Sequence, residues 1–255
     1  MGTTTETTGA LEVTLTQEQI DKFHARGFLR LEAITTAEEV TRLQGVYDRL
    51  FEPGALISEK DRLELAGDAD APPALPQIVN PDHYAPELLE TVAHANAQRV
   101  AAQLLGDEVV SGGMHAIRKP AKDGAATPWH QDEAYWSPAY EHRGLSIWIP
   151  LQPATLENGC MQFVPGSHHL GIQPHKLINP DSHGLELESL ELVEEAVACP
   201  LPPGGATIHF SRTLHYAGPN TSTEPRRALI MGFSAPAIRL PEPRHMPWQR
   251  PEWNA

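Results

Sequence analysis

Two hydrophobic periods divide the chain. From residue 15 to about residue 107, apolar positions recur at helical intervals. The run Leu15-Thr16-Gln17-Glu18-Gln19-Ile20 offers Thr16 as an N-cap with Gln19 three residues on, the pattern of a capping box. Ile20 and Phe23 give this helix a short apolar face, and Gly27 ends it. Phe28 to Leu31 alternates like a short strand. Thr36 caps a second helix, on which Val40, Leu43, Val46, Tyr47 and Leu50 form one stripe, read as core. Residues 53–82 are rich in Pro, Gly and Asp, which predicts a long surface loop. A third helix is expected over about 85–105, with Leu88, Leu89, Val92, Ala93 and Val100 on its apolar side.

From residue 108 the period drops to two. Strand-like runs at 108–110, 114–118, 145–151, 161–164, 206–210 and 227–233 are separated by turn residues. Short strands behind a helical layer predict a mainly β protein with α-helical additions, built on a double-sheet jelly roll of the cupin-like kind. The expected organisation is one domain over 15–255: a helical N-terminal layer to about 107, a jelly-roll core over about 108–235, and a Pro- and Trp-rich strap over 236–255. Residues 1–14, rich in Thr and Glu, are expected to be a disordered leader without the basic and apolar regions of a secretory signal.

Composition narrows the partners. The 255 residues carry a formal charge of −14, which opposes nucleic acid or an anionic membrane as partner, since phosphate binding is driven by Lys and Arg. A small anion held by one local arginine is compatible with that charge. No apolar run reaches the length of a membrane span, so a cytoplasmic protein is expected. The two cysteines, Cys160 and Cys199, read as free thiols. Arg118, Lys119 and Lys122 form the local cationic group ahead of residue 127 and read as a solvated edge.

The chemistry concentrates at Thr127-Pro128-Trp129-His130-Gln131-Asp132-Glu133. A His and an Asp two apart on an extended segment point to the same side, so imidazole and carboxylate can meet one metal ion. By itself this pair is a weak signal, because most polar residues are simply exposed. A second histidine, His215, follows a strand signal over 205–210 and precedes the turn Gly218-Pro219-Asn220. With it, His130 and Asp132 would complete a facial triad, the ligand set that leaves open positions on iron(II) for a chelating 2-oxo acid and for O2. Arg226 opens the next strand run. An arginine entering a buried strand needs an anion, and the distal carboxylate of 2-oxoglutarate matches the guanidinium fork. Arg227 should face the other way. Gln131, Tyr135 and Trp136 flank the motif and are candidates to face a pocket. Of the adjacent His168 and His169, neither is expected in the site.

Together, Trp129-His130-Gln131-Asp132, the run from Glu157 to His168, His215 and Arg226 resemble the phytanoyl-CoA dioxygenase family, and the opening over 15–50 resembles that family's helix–strand–helix start. The resemblance covers about residues 15–235. It implies a double-stranded β-helix core, iron(II) held by His130, Asp132 and His215, and 2-oxoglutarate held by Arg226. It further implies an aromatic beside the co-substrate at Trp148 and a co-substrate contact at His115. A hydroxyl residue common two positions after the distal histidine is Ala217 here, which removes one hydrogen bond. The implied activity is a dioxygenase that oxidises a small organic substrate, most simply by hydroxylation, and releases succinate and CO2. Two other readings compete: a cupin-like metalloenzyme that does not use 2-oxoglutarate, and a non-catalytic jelly-roll binding protein. Arg226 separates the first rival from the favoured reading, because such a site has no need of it.

Overall fold

A computed structural model describes residues 11–66, 73–179 and 184–250. Helix α1 (Gln17–Arg26) begins at the expected capping box: Gln19 N donates to Thr16 Oγ1 and Thr16 N donates to Gln19 Oε1. Gly27 ends it at φ 83°, a left-handed conformation that L side chains rarely adopt. Strand β1 (Phe28–Leu31) follows, then helix α2 (Ala37–Leu50), whose predicted stripe is entirely buried.

Strands β2 (Arg62–Glu64) and β3 (Pro76–Val79) lie inside the segment expected to be loop. They pair with each other and extend a sheet edge, and Leu75 and Ile78 are buried. Turn-rich composition masked them because each strand is only a few residues long. Residues 67–72 of that segment lie outside the described ones. The third helix is split. A 3-10 turn over Pro86–Glu90 gives way at Thr91 to α3 (Val92–Leu105). The buried Glu39 carboxylate of α2 accepts from Val92 N and Ala93 N, satisfying the first free amides of α3. Leu88, Ala93 and Val100 are buried as expected, whereas Leu89 is exposed.

The remaining strands are β4 (Val110–Lys119), β5 (Thr127–His130), β6 (Tyr140–Pro150), β7 (Met161–Phe163), β8 (His175–Leu177), β9 (Leu185–Leu187), β10 (Val197–Cys199), β11 (Ala206–Phe210), β12 (His215–Ala217) and β13 (Arg226–Arg239). They form a major sheet in the order β1-β11-β6-β13-β4-β3-β2, a minor sheet β10-β7-β12-β5, and the hairpin β8-β9. This is the expected jelly roll, and β1, from the N-terminal layer, serves as an edge of its major sheet.

Alternation assigns the two faces of the major sheet. Ile147 and Ile149, Ile208, Leu229 and Met231, and Met114 and Ala116 join the core under the three helices. Their neighbours Trp148, Ile117 and Ala228 turn inward and pack with Met161 and Phe163 of the minor sheet. A cavity remains between the sheets where that second core stops.

Three local readings change. Lys119, read as part of a solvated edge, is fully buried, and its Nζ donates to the Ala125 and Ala217 carbonyls, tying the β4–β5 connection to β12. Leu11 and Val13, expected in the leader, are held by the Asn96 side chain on α3; residues 1–10 lie outside the described ones. The strap starts later than expected, since β13 runs to Arg239; beyond it, Trp248 and Gln249 donate to the Ala134 carbonyl and Arg244 reaches Glu133. Cys160 and Cys199 are both free and buried. Among the described residues no helix is long and apolar enough to cross a membrane.

Candidate metal centre and co-substrate pocket

His130 is the last residue of β5 and His215 the first of β12, and the two are directly paired in the minor sheet. Their rings lie 4.1 Å apart, centroid to centroid. Each ring is fixed from behind by the backbone two residues upstream. His130 Nδ1 stands 2.8 Å from the Pro128 carbonyl, and His215 Nδ1 stands 2.9 Å from the Thr213 carbonyl. A carbonyl only accepts, so both Nδ1 atoms carry the proton and both Nε2 lone pairs are left free. This is the arrangement that orients ligating histidines.

Asp132 opens a 3-10 turn (Asp132–Tyr135) immediately after β5. Its Oδ1 is 3.6 Å from His130 Nε2 and 3.5 Å from His215 Nε2. One donor atom from each of the three residues lies within 4.8 Å of the others, and among the described residues they are the one such group of metal-ligating side chains. Burial alone would raise the Asp132 carboxyl, yet His215, His130 and His209 crowd it and hold it well below the usual carboxylate range. Burial pushes His130 down, aided by His215. The site therefore presents an anionic carboxylate and a neutral imidazole, donor chemistry suited to a divalent cation.

Arg226 is 1% exposed, and its Nε and Nη1 have no hydrogen-bond partner. Its guanidinium lies 5.3 Å from the centre of the Trp148 ring. Burial pushes it down to about 10, so at neutral pH it remains a cation. A buried charge without a partner is costly, and a bidentate anion relieves that cost. Arg227 does face the other way, bonding Asp48 through Nε and Nη2. His115 shares a cross-strand row with Ile230 and Trp148 on β4, β13 and β6. Its Nδ1 is 2.6 Å from Gln77 Nε2, and burial lowers its pKa, favouring the neutral ring.

These groups line one cavity of about 500 Å³. His130, Asp132, His215, Arg226, Trp148 and His115 all face it. Its outer wall is apolar and comes from Leu63 and Leu65, from Ile178 and Leu185, and from Tyr135 and Trp136. Gln131 does not line it. The Gln131 side chain donates to the Gly171 and Arg212 carbonyls and accepts from Gln173 N, so it anchors the turn. His168 points elsewhere, to the His24 carbonyl.

Sequence reasoning missed the aliphatic part of the outer wall and, among the polar pocket residues, Gln77, Ser146 and His209. Ser146 Oγ donates to Asp132 Oδ2 at 2.8 Å, and His209 Nε2 lies 3.4 Å from the same oxygen. A signal existed, since Ser146 is two before Trp148 and His209 two after Thr207, which places all four on one face of the major sheet. Which face closes over the metal group is decided by sheet packing.

The chain matches the phytanoyl-CoA dioxygenase (PhyH) family over residues 23–228. The crystal structure of EvdO2 from Micromonospora carbonacea var. aurantiaca, complexed with 2-oxoglutarate, superposes with a TM-score of 0.82 at 37% identity, over 95% of this chain and 100% of that one. A probable alpha-ketoglutarate-dependent hypophosphite dioxygenase of Stutzerimonas stutzeri is 28% identical over 228 residues, 86% of this chain and 78% of its own length. An ectoine dioxygenase of Bordetella bronchiseptica is 26% identical over 93% of this chain and 81% of its own length. With a match spanning most of the domain and a His-Asp-His group facing a buried arginine, this chain belongs to the phytanoyl-CoA dioxygenase family.

Proposed function

We propose that this protein is an iron(II)- and 2-oxoglutarate-dependent dioxygenase that oxidises a small organic molecule, most simply by hydroxylation, with release of succinate and CO2. The observation that carries this reading is the pairing of two features in one cavity. Three donors converge with both imidazole Nε2 atoms free, and a buried guanidinium stands without an anion. The 2-oxoglutarate bound in EvdO2 supports the same co-substrate here.

His130, Asp132 and His215 would hold the iron, which supplies the activation of O2 coupled to oxidation of the 2-oxo acid. Arg226 neutralises the distal carboxylate of the co-substrate, and the Trp148 face beside it closes that end against water. His115, neutral and bonded to Gln77, presents an uncharged edge near the co-substrate. Tyr135 and Trp136 follow Asp132 in the same turn and face the cavity, so they would meet the substrate. A carboxylate at residue 132 leaves no ligand gap for a halide, which favours hydroxylation over halogenation. The outer wall suits a small organic substrate presenting apolar surface.

The test is to add iron(II) and 2-oxoglutarate anaerobically, follow the metal-to-ligand absorption band, and then admit O2 and measure succinate. A band that R226Q weakens, followed by succinate, is expected. Iron bound tightly with neither band nor succinate would leave a cupin-like site without 2-oxoglutarate.

A further inference from the structure

We propose that Ser146 and His209 act as a positioning pair that holds one oxygen of the Asp132 carboxylate so that only the other faces the metal; this rests on the reading of His130, Asp132 and His215 as an iron site. The two carboxylate oxygens have different surroundings. Oδ1 faces both imidazole Nε2 atoms. Oδ2 accepts from Ser146 Oγ at 2.8 Å and has His209 Nε2 at 3.4 Å.

The pair is built into one rung of the fold. Ser146 on β6 and His209 on β11 are direct cross-strand partners in the major sheet, whereas both ligating histidines belong to the minor sheet. The Asp132 carboxylate thus bridges the two sheets, with one oxygen assigned to each. His209 is 2% exposed, with its ring between Phe163 and His215 at centroid distances of 5.2 and 4.3 Å. Neither of its nitrogens has an aligned hydrogen-bond partner, and its nearest charged group is Asp132. An ionised carboxylate only accepts, so an Nε2 lone pair turned toward Oδ2 would repel it, whereas an N–H there is attracted. The proton therefore belongs on Nε2, toward the carboxylate, where a small turn of the ring aligns it.

The consequence concerns coordination. A carboxylate free to swing can bind a cation through both oxygens and take a position that a chelating 2-oxo acid or O2 needs. The Ser146 hydroxyl on Oδ2, with the His209 N–H beside it, would keep the carboxylate to one oxygen and hold that oxygen where the histidines converge. This is positioning through a ligand, and partners of this kind typically change metal affinity by about 10- to 100-fold.

The experiment uses anaerobic iron(II) titration of the full chain, followed by the visible band of the iron–2-oxoglutarate complex, for wild type, S146A, S146T, H209F and H209Q. Weaker iron binding by roughly 10-fold in S146A and H209F, with a shifted band, and recovery in S146T and H209Q, which keep a donor, is the expected pattern. Thermal melting of the iron-free proteins separates this from lost packing. If S146A and H209F match wild type in affinity and band, the pair does not position Asp132. If S146T and H209Q fail alongside them and melting falls in step, the residues are only structural. Wild-type protein that takes up no iron(II) overturns the reading of the site itself, and this inference with it.

Discussion

His130 and His215 oppose each other across the β5–β12 pair, and each turns its Nδ1 to the carbonyl two residues upstream in the chain. One backbone device, used twice, sets both tautomers before any ligand arrives. His215→Ala removes one donor and leaves a small cavity in a core position. Iron affinity should drop more than about 100-fold and succinate formation should vanish, while stability falls by only about 1–3 kcal/mol. Metal titration alongside chemical denaturation checks both parts, and a variant that keeps wild-type iron affinity would remove His215 from the ligand set.

Arg226 separates stability from binding. A buried cation without a partner is a cost in the ligand-free protein. R226M should therefore melt at the same temperature as wild type or slightly higher when no ligand is present. Wild type should gain about 2.7 kcal/mol at 2-oxoglutarate concentrations near 100 Kd, and R226M should gain little at the same concentration. Equal ligand-induced shifts in the two proteins would show that the anion binds elsewhere.

Glu133 follows Asp132 in the metal turn with 1% side-chain exposure and receives two arginines: Arg212, through Nε and Nη2, and Arg244 from the strap. Removing the central charge takes the carboxylate from Arg244 and leaves Arg212 with only the longer Glu141 pair at 3.8 Å, whereas removing one arginine leaves Glu133 the other. Glu133→Gln should cost about 3–5 kcal/mol, and Arg244→Ala about 1–2 kcal/mol. Denaturant midpoints read the order directly, and an Arg244→Ala loss equal to that of Glu133→Gln would contradict it.

His175 supplies a pH dependence. Its Nδ1 faces the Gln173 carbonyl and its Nε2 accepts from Gln131 N, so a second proton has no place. Burial, with His130 and His215 nearby, pushes it down to about 4. The unfolded chain takes up this proton near pH 6.5 and the folded one only near 4, so stability is lost as pH falls through that window. Between pH 7 and pH 5 the loss from this group is about 2 kcal/mol. In H175Q, whose amide oxygen can still accept from Gln131 N, the wild-type excess loss over that interval should disappear.

Periodicity carried much of the architecture. The Thr16 capping box, the α2 stripe and the inward turn of Arg226 against Arg227 depend on neighbours a few residues apart, and short-range geometry governs them. The split at Thr91 was only partly legible: Thr91 is itself the N-cap, accepting from His94 N, but the amides of Val92 and Ala93 are satisfied by Glu39, far away in the chain. Strands β2 and β3 were equally hidden, since pairing with each other and with β4 makes them strands. Lys119 was misplaced because a charged residue declares its charge in sequence, while the two carbonyls that bury it come from residues 125 and 217.

The sequence by itself determined the ligand types, the alternation that aims them, and the arginine that needs an anion, because these follow from side-chain chemistry and the period of a strand. Only the tertiary structure decided that the minor sheet brings residue 215 against residue 130, and that Ser146 and His209 share Oδ2 of Asp132. Those contacts join strands distant in the chain, and their distances are set by how two sheets pack face to face.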